Sequence, residues 1–273
     1  MTFRYAICNE TFQGWDHERI CRFVAACGYQ GLEIAPFTWA PRITDVSPEQ
    51  RLTYRKQAED AGLKLIGLHW LLAKTEGLCI TDPDPAIRRR TAEYLGELAR
   101  CCRDIGGDLL ILGSPAQRKI PAGYSRSQAA DFALDTLRQT AGALSDFGVT
   151  LCLEPLAPSE TDFLNTCDEA RELLERLAHP NFALHLDVKA MSSEAVPVPD
   201  LIRRFARWTR HFHANDANRR GPGFGSVDFR PIFAALQDAD YRGWVSVEVF
   251  DYSPDPETIA RDSISYMRLC EPK

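Results

Sequence analysis

Eight short apolar segments alternate with eight segments of helical pattern, and this alternation constrains the fold more than any other feature of the chain. The predicted strands lie at 4–9, 31–36, 64–70, 108–114, 149–155, 182–188, 209–216 and 244–251. The predicted helices lie at 16–27, 48–61, 84–105, 125–147, 167–178, 197–206, 228–239 and 255–270. Short continuous apolar runs are typical of strands buried on both faces of a parallel sheet. Eight βα units therefore predict an α/β fold of one kind, a single (β/α)8 TIM barrel.

The length of the chain agrees with this fold, and its charge limits the classes of partner that it can bind. The 273 residues suit one barrel, for which about 250 residues is typical, so we expect a single catalytic domain over 1–273. A net charge of −6 and a pI near 5.6 argue against a nucleic acid or an anionic membrane as partner. No apolar run approaches the roughly 18 residues of a membrane span. We expect a small-molecule substrate, and the sequence is compatible with a homo-oligomer.

The cysteines and the N-terminal residues indicate in which cellular compartment the protein is expected. Nine cysteines are scattered along the chain without a CxxC pair, and several lie in apolar runs. A free cysteine in such a run behaves as a small buried hydrophobe, so we expect reduced thiols. The N-terminal segment lacks the apolar region of a signal peptide. Together these features predict a cytoplasmic protein.

Four polar residues near the ends of consecutive predicted strands carry most of the functional information. They are Glu154, Asp187, His213 and Glu248, spaced by about 30 residues, which is the length of one βα unit. In a closed barrel their side chains would converge at the C-terminal mouth, where barrel enzymes place their chemistry. Unpaired buried carboxylates are costly, and a shared divalent cation would compensate them. An oxygen-rich set with one imidazole suits Mn²⁺ or Mg²⁺.

Several motifs of the chain are similar to those of the xylose isomerase-like sugar isomerase and epimerase superfamily. The branch that the chain most resembles contains D-tagatose 3-epimerase, D-psicose 3-epimerase and hydroxypyruvate isomerase. The order and spacing of the Glu, Asp, His and Glu residues are the specific part of the resemblance. The matching segments are ICNETF, GLEIAPFTW, GLHWLL, LGSP, LCLEPLAPSETDFLNT, HLDVKAM, FHANDANR and VEVF.

The resemblance implies roles for individual residues. Glu154, Asp187, His213 and Glu248 would bind one divalent metal ion, Mn²⁺ by preference and Mg²⁺ or Co²⁺ as alternatives. Glu154 and Glu248 would also transfer protons. The position of Glu160 and that of Arg219 imply contacts with the substrate. From its place at a strand end, we add His69 as a predicted substrate contact.

The predicted chemistry is removal of a proton from a carbon next to a metal-chelated carbonyl, through a cis-enediolate. Return of the proton gives epimerisation or aldose–ketose isomerisation, and the sequence leaves both open. A lyase or dehydratase acting on an inosose or keto-glycoside is the alternative enzyme, and a non-catalytic sugar-binding scaffold is the alternative outside enzymes. In the ketohexose epimerases a histidine stands where this chain has Ala190. This departure extends the candidate substrates to other sugars and to keto-polyols.

Two further groups of residues lie near the predicted barrel mouth or lumen. The rings of Phe12, Trp15, Phe37 and Trp39 follow the first two strands, where aromatic side chains often pack against the apolar face of a sugar. The pair His185 and His211 precedes the predicted ligands Asp187 and His213 by two residues each. The strand period of two places them deeper on the same face. We expect them to be hydrogen-bonded core histidines.

Overall fold

Eight parallel strands close into one barrel in the computed structural model, which describes residues 3–273. Neighbouring strands in sequence are neighbours in the barrel, and the last strand pairs with the first. The strands are β1 Arg4–Cys8, β2 Gly31–Ile34, β3 Lys64–Leu68, β4 Leu109–Leu112, β5 Thr150–Leu153, β6 Phe182–Asp187, β7 Thr209–Ala214 and β8 Trp244–Val247. The predicted TIM barrel is confirmed, and the first two residues of the predicted domain lie outside the described part.

Helices follow the strands as predicted, and their ends lie within one residue of the predicted ends. They are α1 His17–Ala26, α2 Pro48–Asp60, α3 Pro85–Asp104, α4 Arg126–Phe147, α5 Cys167–Leu177, α7 Val198–Phe205, α8 Phe229–Asp238 and α9 Pro256–Cys270. Local chemistry explains several starts: Ser47 and Gln50 form a capping box ahead of α2, and Asp84 caps α3. The sequence missed one short helix, α6 Val188–Met191. No helix within residues 3–273 is long and apolar enough to cross a membrane.

The predicted strands extend past the observed C-terminal ends by one to four residues. The largest difference is at β8, where 244–251 was predicted and pairing ends at Val247. The apolar runs in the sequence are longer than the strands, because residues at the barrel mouth stay buried after the backbones of neighbouring strands diverge. As a result Glu154 and Glu248 are the first residues beyond β5 and β8, whereas Asp187 and His213 lie within their strands.

The interior of the barrel changes from apolar to polar along the strands. A separate cluster of buried residues lies among the strands and includes Ala6, Ile111, Cys152 and Trp244. Side chains two positions apart share a face of a strand, so Cys152 is followed on its face by Glu154, and Trp244 by Ser246 and Glu248. Because side chains alternate along each strand, carboxylates lie at the C-terminal mouth and the apolar cluster lies deeper in the barrel.

Candidate active site

The structure brings the four predicted metal ligands together at the C-terminal mouth. Ligand atoms of Glu154, Asp187 and His213 lie within 4.8 Å of one another. Glu248 joins them through His213, because its Oε2 lies 3.1 Å from Nδ1 of the imidazole. Each of the four residues is at least 95% buried, with Glu154 the most exposed at 5%. Residues separated by up to 94 positions thus form one cluster, as the spacing predicted.

Glu33, at the third position of β2, holds the imidazole of His213 in one orientation. Both of its carboxylate oxygens lie 3.2 Å from Nε2 of His213, and Oε2 also lies 2.9 Å from Nε2 of His211. Nδ1 of His213 is consequently the nitrogen that faces the carboxylate of Glu248. Carboxylates that bind the second nitrogen of a histidine commonly orient it for a metal. The sequence analysis did not assign this role; a buried Glu inside the apolar run GLEIAP was the available signal.

Asp187 is held by two hydrogen bonds from neighbouring segments. Its Oδ1 accepts from the backbone nitrogen of Ala190 at 2.7 Å, which caps α6. Its Oδ2 accepts from Nδ2 of Asn215 at 2.6 Å, and Oδ1 of Asn215 accepts from the backbone nitrogen of Lys189 at 2.8 Å. The short helix that the sequence missed therefore exists as part of the support of a predicted ligand.

The charges of this cluster are unbalanced. Burial, followed by the nearby carboxylates of Glu248 and Asp187, holds the pKa of Glu154 well above its usual range. Burial alone would raise the pKa of Glu248 as well, but His213 holds it below its ordinary value. Three buried carboxylates face one imidazole, and such an arrangement is costly without a further positive charge. A divalent cation among these oxygens would supply that charge, so the residues present fit a metal.

Gly113, the residue after β4, provides the space that Glu154 needs. A Cβ at this position would lie 2.2 Å from Oε2 of Glu154, closer than side-chain atoms approach one another. The backbone carbonyl of Glu154 accepts from Nη1 of the buried Arg118 at 2.6 Å. The carboxylate of Glu154 therefore packs against Gly113, while Arg118 fixes the backbone of Glu154. Any side chain at position 113 would displace the carboxylate.

A cavity of about 320 Å³ lies beside the cluster, and its wall includes Glu154, Glu160, Arg219 and Glu248. Both predicted proton-transfer residues and two of the three predicted substrate contacts therefore border one space. Trp70 also lines it and donates from Nε1 to Oε1 of Glu248 at 2.6 Å. A small concave site with convergent polar groups is the usual form of a ligand pocket.

His69 lies elsewhere. It is fully buried, with Nε2 2.9 Å from Oε2 of Glu10 and Nδ1 3.8 Å from Oε1 of Glu33. The wall of the 320 Å³ cavity includes its neighbour Trp70, whose backbone has a positive φ of 52°. That backbone turn directs the indole, and not the imidazole, towards Glu248. A substrate contact by His69 stays a prediction, and Trp70 is a cavity residue that the sequence had placed only at the strand end.

Glu160 and Arg219 approach the cavity from opposite loops around Phe250. The Oε1 atom of Glu160 pairs with Nζ of Lys189 at 2.8 Å, and Oε2 is buried without a hydrogen-bond partner within residues 3–273. The backbone carbonyl of Arg219 accepts from the nitrogens of Phe250 and Asp251, and its guanidinium carbon lies 5.8 Å from the Phe250 ring centre. These contacts hold Glu160 and Arg219, the two predicted substrate residues, at the mouth of the barrel.

The two deeper histidines differ from each other. His211 meets the expectation of a hydrogen-bonded core histidine only in part, because its Nε2 pairs with Glu33 whereas its Nδ1 has no partner in the part of the chain that the structure describes. The expectation was wrong for His185, because neither of its ring nitrogens has a hydrogen-bond partner among the described residues. Burial lowers its pKa well below the ordinary value, so the ring is neutral. A ring nitrogen of His185 also lies within 4.8 Å of ligand atoms of Glu154, Asp187 and His213.

Comparisons with known proteins identify the family of the chain. D-psicose 3-epimerase of Agrobacterium fabrum is 29% identical over 249 residues, covering 86% of this chain and 82% of that protein. L-ribulose 3-epimerase of Mesorhizobium japonicum is 32% identical over 196 residues, covering 70% of this chain and 64% of that protein. The crystal structure of D-psicose 3-epimerase with D-tagatose from Clostridium cellulolyticum H10 has the same fold, with a TM-score of 0.86 at 21% identity over 99% of this chain and 100% of that one. The family model of the xylose isomerase-like TIM barrel matches residues 21–270, and the chain belongs to that family.

Proposed function

We propose that the protein is a divalent-metal-dependent carbohydrate epimerase or isomerase that moves a proton at a carbon next to a carbonyl. The observation that carries this proposal is the position of Glu154 and Glu248, which belong to the buried acidic cluster and also line the adjoining cavity. The relatives named above are ketose 3-epimerases, and their activity supports the same class for this chain.

Glu154, Asp187, His213 and Glu248 would hold one divalent ion, with Mn²⁺ the preferred candidate and Mg²⁺ or Co²⁺ as substitutes. When bound, such an ion acts as a Lewis acid towards oxygens beside the reacting carbon. Glu33 and Asn215 prepare the ligands for it, because they hold His213 and Asp187 in place. Support of this kind fixes the ligand atoms before any ion arrives.

The two glutamates would move the proton. One carboxylate takes the proton from the carbon and becomes a carboxylic acid, which leaves an enediolate on the substrate. For epimerisation, the other glutamate, protonated at that moment, gives its proton to the opposite face of the same carbon. For aldose–ketose isomerisation, the first glutamate returns the proton to the neighbouring carbon. Trp70 keeps Glu248 directed at the cavity through the hydrogen bond from its indole.

Residues on the opposite wall would orient the substrate. Arg219 presents a planar group that can donate two hydrogen bonds to adjacent sugar oxygens. Glu160 lines the cavity and its carboxylate is held by Lys189, so it would accept from a hydroxyl group of the substrate. The binding of several oxygens fixes the reacting carbon relative to Glu154 and Glu248.

Proton exchange with solvent tests this proposal. Candidate ketoses and keto-glycosides are incubated with the enzyme and Mn²⁺ in D₂O, and deuterium next to the carbonyl is followed by NMR. Product mass distinguishes an isomerase, which conserves mass, from a dehydratase, which loses water. Glu154→Gln and Glu248→Gln should lower exchange by at least about 100-fold, whereas Glu172→Gln on the exposed side of α5 should not. Undiminished exchange in both site variants would remove the two glutamates from proton transfer.

A further inference from the structure

A second and larger cavity adjoins the proposed catalytic cavity. Its volume is about 1020 Å³, and it lies among the loops after β1, β2 and β3 and the facing parts of α1 and α2. Trp70 and Lys74 line both cavities, so the two spaces meet at these side chains. Nothing in the proposed proton transfer requires this space.

The two cavities differ in size in a way that bears on the substrate. Pockets for small molecules span about 300–1,000 Å³. The catalytic cavity, at about 320 Å³, lies at the lower end of this range and suits one sugar ring. The adjoining cavity, at about 1020 Å³, lies at the upper end and offers space for at least one more ring. A substrate that filled both would be larger than a free ketohexose.

Aromatic side chains dominate the wall of the larger cavity. Trp39 stacks on Tyr54 with ring centres 4.5 Å apart and an interplanar angle of 28°, and His17 meets Trp39 edge-on at 5.6 Å. Trp15 lies on the same wall, with the Arg19 guanidinium 3.5 Å from its ring centre. Amphipathic rings of this kind offer flat apolar faces together with polar edges.

Polar side chains are interleaved with these rings in the wall of the cavity. Gln13 and Thr38 are exposed and Gln57 is half-buried, so their amide and hydroxyl groups can be reached from the cavity. Amides and hydroxyls both donate and accept hydrogen bonds. A polyhydroxylated ligand offers both donors and acceptors.

The charge of the wall excludes one kind of ligand. Glu10, Asp16 and Glu18 line the cavity, against a single lysine, Lys74. The Nζ atom of Lys74 lies 4.0 Å from the centre of the Phe37 ring and so faces an aromatic surface. An acidic wall repels phosphate and carboxylate groups. The wall is therefore compatible with an uncharged ligand and disfavours an anionic one.

From these observations we propose that the larger cavity is a second sugar subsite. It would hold the second, uncharged ring of a keto-glycoside whose keto-bearing ring lies between Glu154 and Glu248. This inference rests on the proposed function for the reacting ring and adds the class of substrate. The occupant is a sugar ring because polar side chains such as Gln57 alternate with the aromatic faces, whereas a purely aromatic aglycone would leave those groups unpaired.

Kinetics with two matched substrates test the subsite. The methyl glycoside of a keto sugar and the corresponding keto-disaccharide differ only in the second ring. The wild-type enzyme should prefer the disaccharide by about 10-fold or more in kcat/KM. Trp39→Ala removes an aromatic ring from the wall, and Gln57→Ala removes an amide group from it. Each should lower kcat/KM for the disaccharide by about 5- to 20-fold and leave the methyl glycoside within about 2-fold. Lys56→Ala, on the exposed side of α2, is the matched control.

Binding measured without turnover separates this proposal from the proposed function. Calorimetric titration with maltose and with methyl α-glucoside, neither of which has a keto group, should show tighter binding of maltose that Gln57→Ala weakens. Should the enzyme convert neither keto substrate while this preference persists, the proposed function fails and the subsite stands. Equal binding of the two sugars, or tighter binding of a nitrophenyl glucoside than of maltose, would overturn the second sugar subsite.

Discussion

The ammonium nitrogen of Lys189 lies 2.8 Å from Oε1 of Glu160, so an ion pair at the edge of the catalytic cavity joins the loop after β5 to the short helix α6. The Lys189 side chain is only 11% exposed, and its nitrogen also lies 4.0 Å from the centre of the Phe250 ring. Sequence analysis singled out Glu160 but not its partner. The pair connects a predicted substrate residue with the strand end that carries Asp187.

Removal of the Lys189 charge should impair substrate binding more than folding. In Lys189→Met the carboxylate of Glu160 loses its ion pair with Lys189 and with it its orientation, and we expect kcat/KM to fall by about 10- to 100-fold. The free energy of unfolding should fall by about 1–3 kcal/mol, because the pair is partly buried. Steady-state kinetics and thermal unfolding measure the two effects, with the exposed Lys56→Met as control. Wild-type KM and kcat in Lys189→Met would show that the pair has no part in substrate binding.

Removal of the metal should abolish activity. We expect chelator-treated enzyme to be inactive and Mn²⁺, Co²⁺ or Mg²⁺ to restore it, since carboxylate-rich sites select metals by geometry and availability. Asp187→Asn and His213→Ala should lose bound metal, which elemental analysis measures directly. Full activity in a sample verified to be metal-free would refute metal dependence.

Glu33 should act on metal affinity rather than on the chemical step. Glu33→Gln keeps the shape of the side chain but weakens its hold on Nε2 of His213, and we expect the metal to bind about 10- to 100-fold more weakly. At saturating Mn²⁺ the kcat should approach the wild-type value. Titration of the metal-free variant with Mn²⁺ gives both quantities. An unchanged affinity would mean that Glu33 does not orient the imidazole.

Two glycines offer a matched comparison. Gly113→Ala would place a Cβ 2.2 Å from Oε2 of Glu154, so the carboxylate must move, and we expect activity to fall by at least about 100-fold. Gly142 lies in α4 on an exposed face, and a Cβ there would have no atom within 4 Å. Gly142→Ala should therefore raise the free energy of unfolding by about 0.5–1 kcal/mol without affecting activity. Thermal unfolding and kinetics of both variants test the pair, and an active Gly113→Ala enzyme would contradict the assigned position of Glu154.

Arg219 should contribute to substrate orientation alone. Arg219→Ala removes a planar group with several donors from the cavity wall, and we expect kcat/KM to fall by about 10- to 100-fold, which corresponds to about 1.5–3 kcal/mol of charge-assisted hydrogen bonding. Metal content should be unchanged because no ligand is altered. Arg220→Ala is the neighbouring control, since Arg220 pairs with Asp251 at 2.9 Å. Equal kinetics in Arg219→Ala and the wild type would remove Arg219 from the site.

The sequence by itself determined the barrel and the meeting of the four proposed metal ligands. Strand–helix alternation and helix caps are local properties, and a barrel places the C-terminal ends of all its strands at one mouth. Glu154, Asp187, His213 and Glu248 could therefore be grouped from the sequence, because each lies within the C-terminal part of its strand or one residue beyond it.

Only the tertiary structure decided how the residues around this cluster are arranged. Beyond the end of a strand the period of two no longer sets side-chain direction. The sequence therefore could not predict that Lys189 turns towards the cavity, or that Trp70 and not His69 lines it. The contact between Glu33 and His213 joins residues 180 positions apart, and the aromatic cavity forms where three loops and two helices meet. Such contacts depend on how distant segments pack, which no local pattern in the sequence encodes.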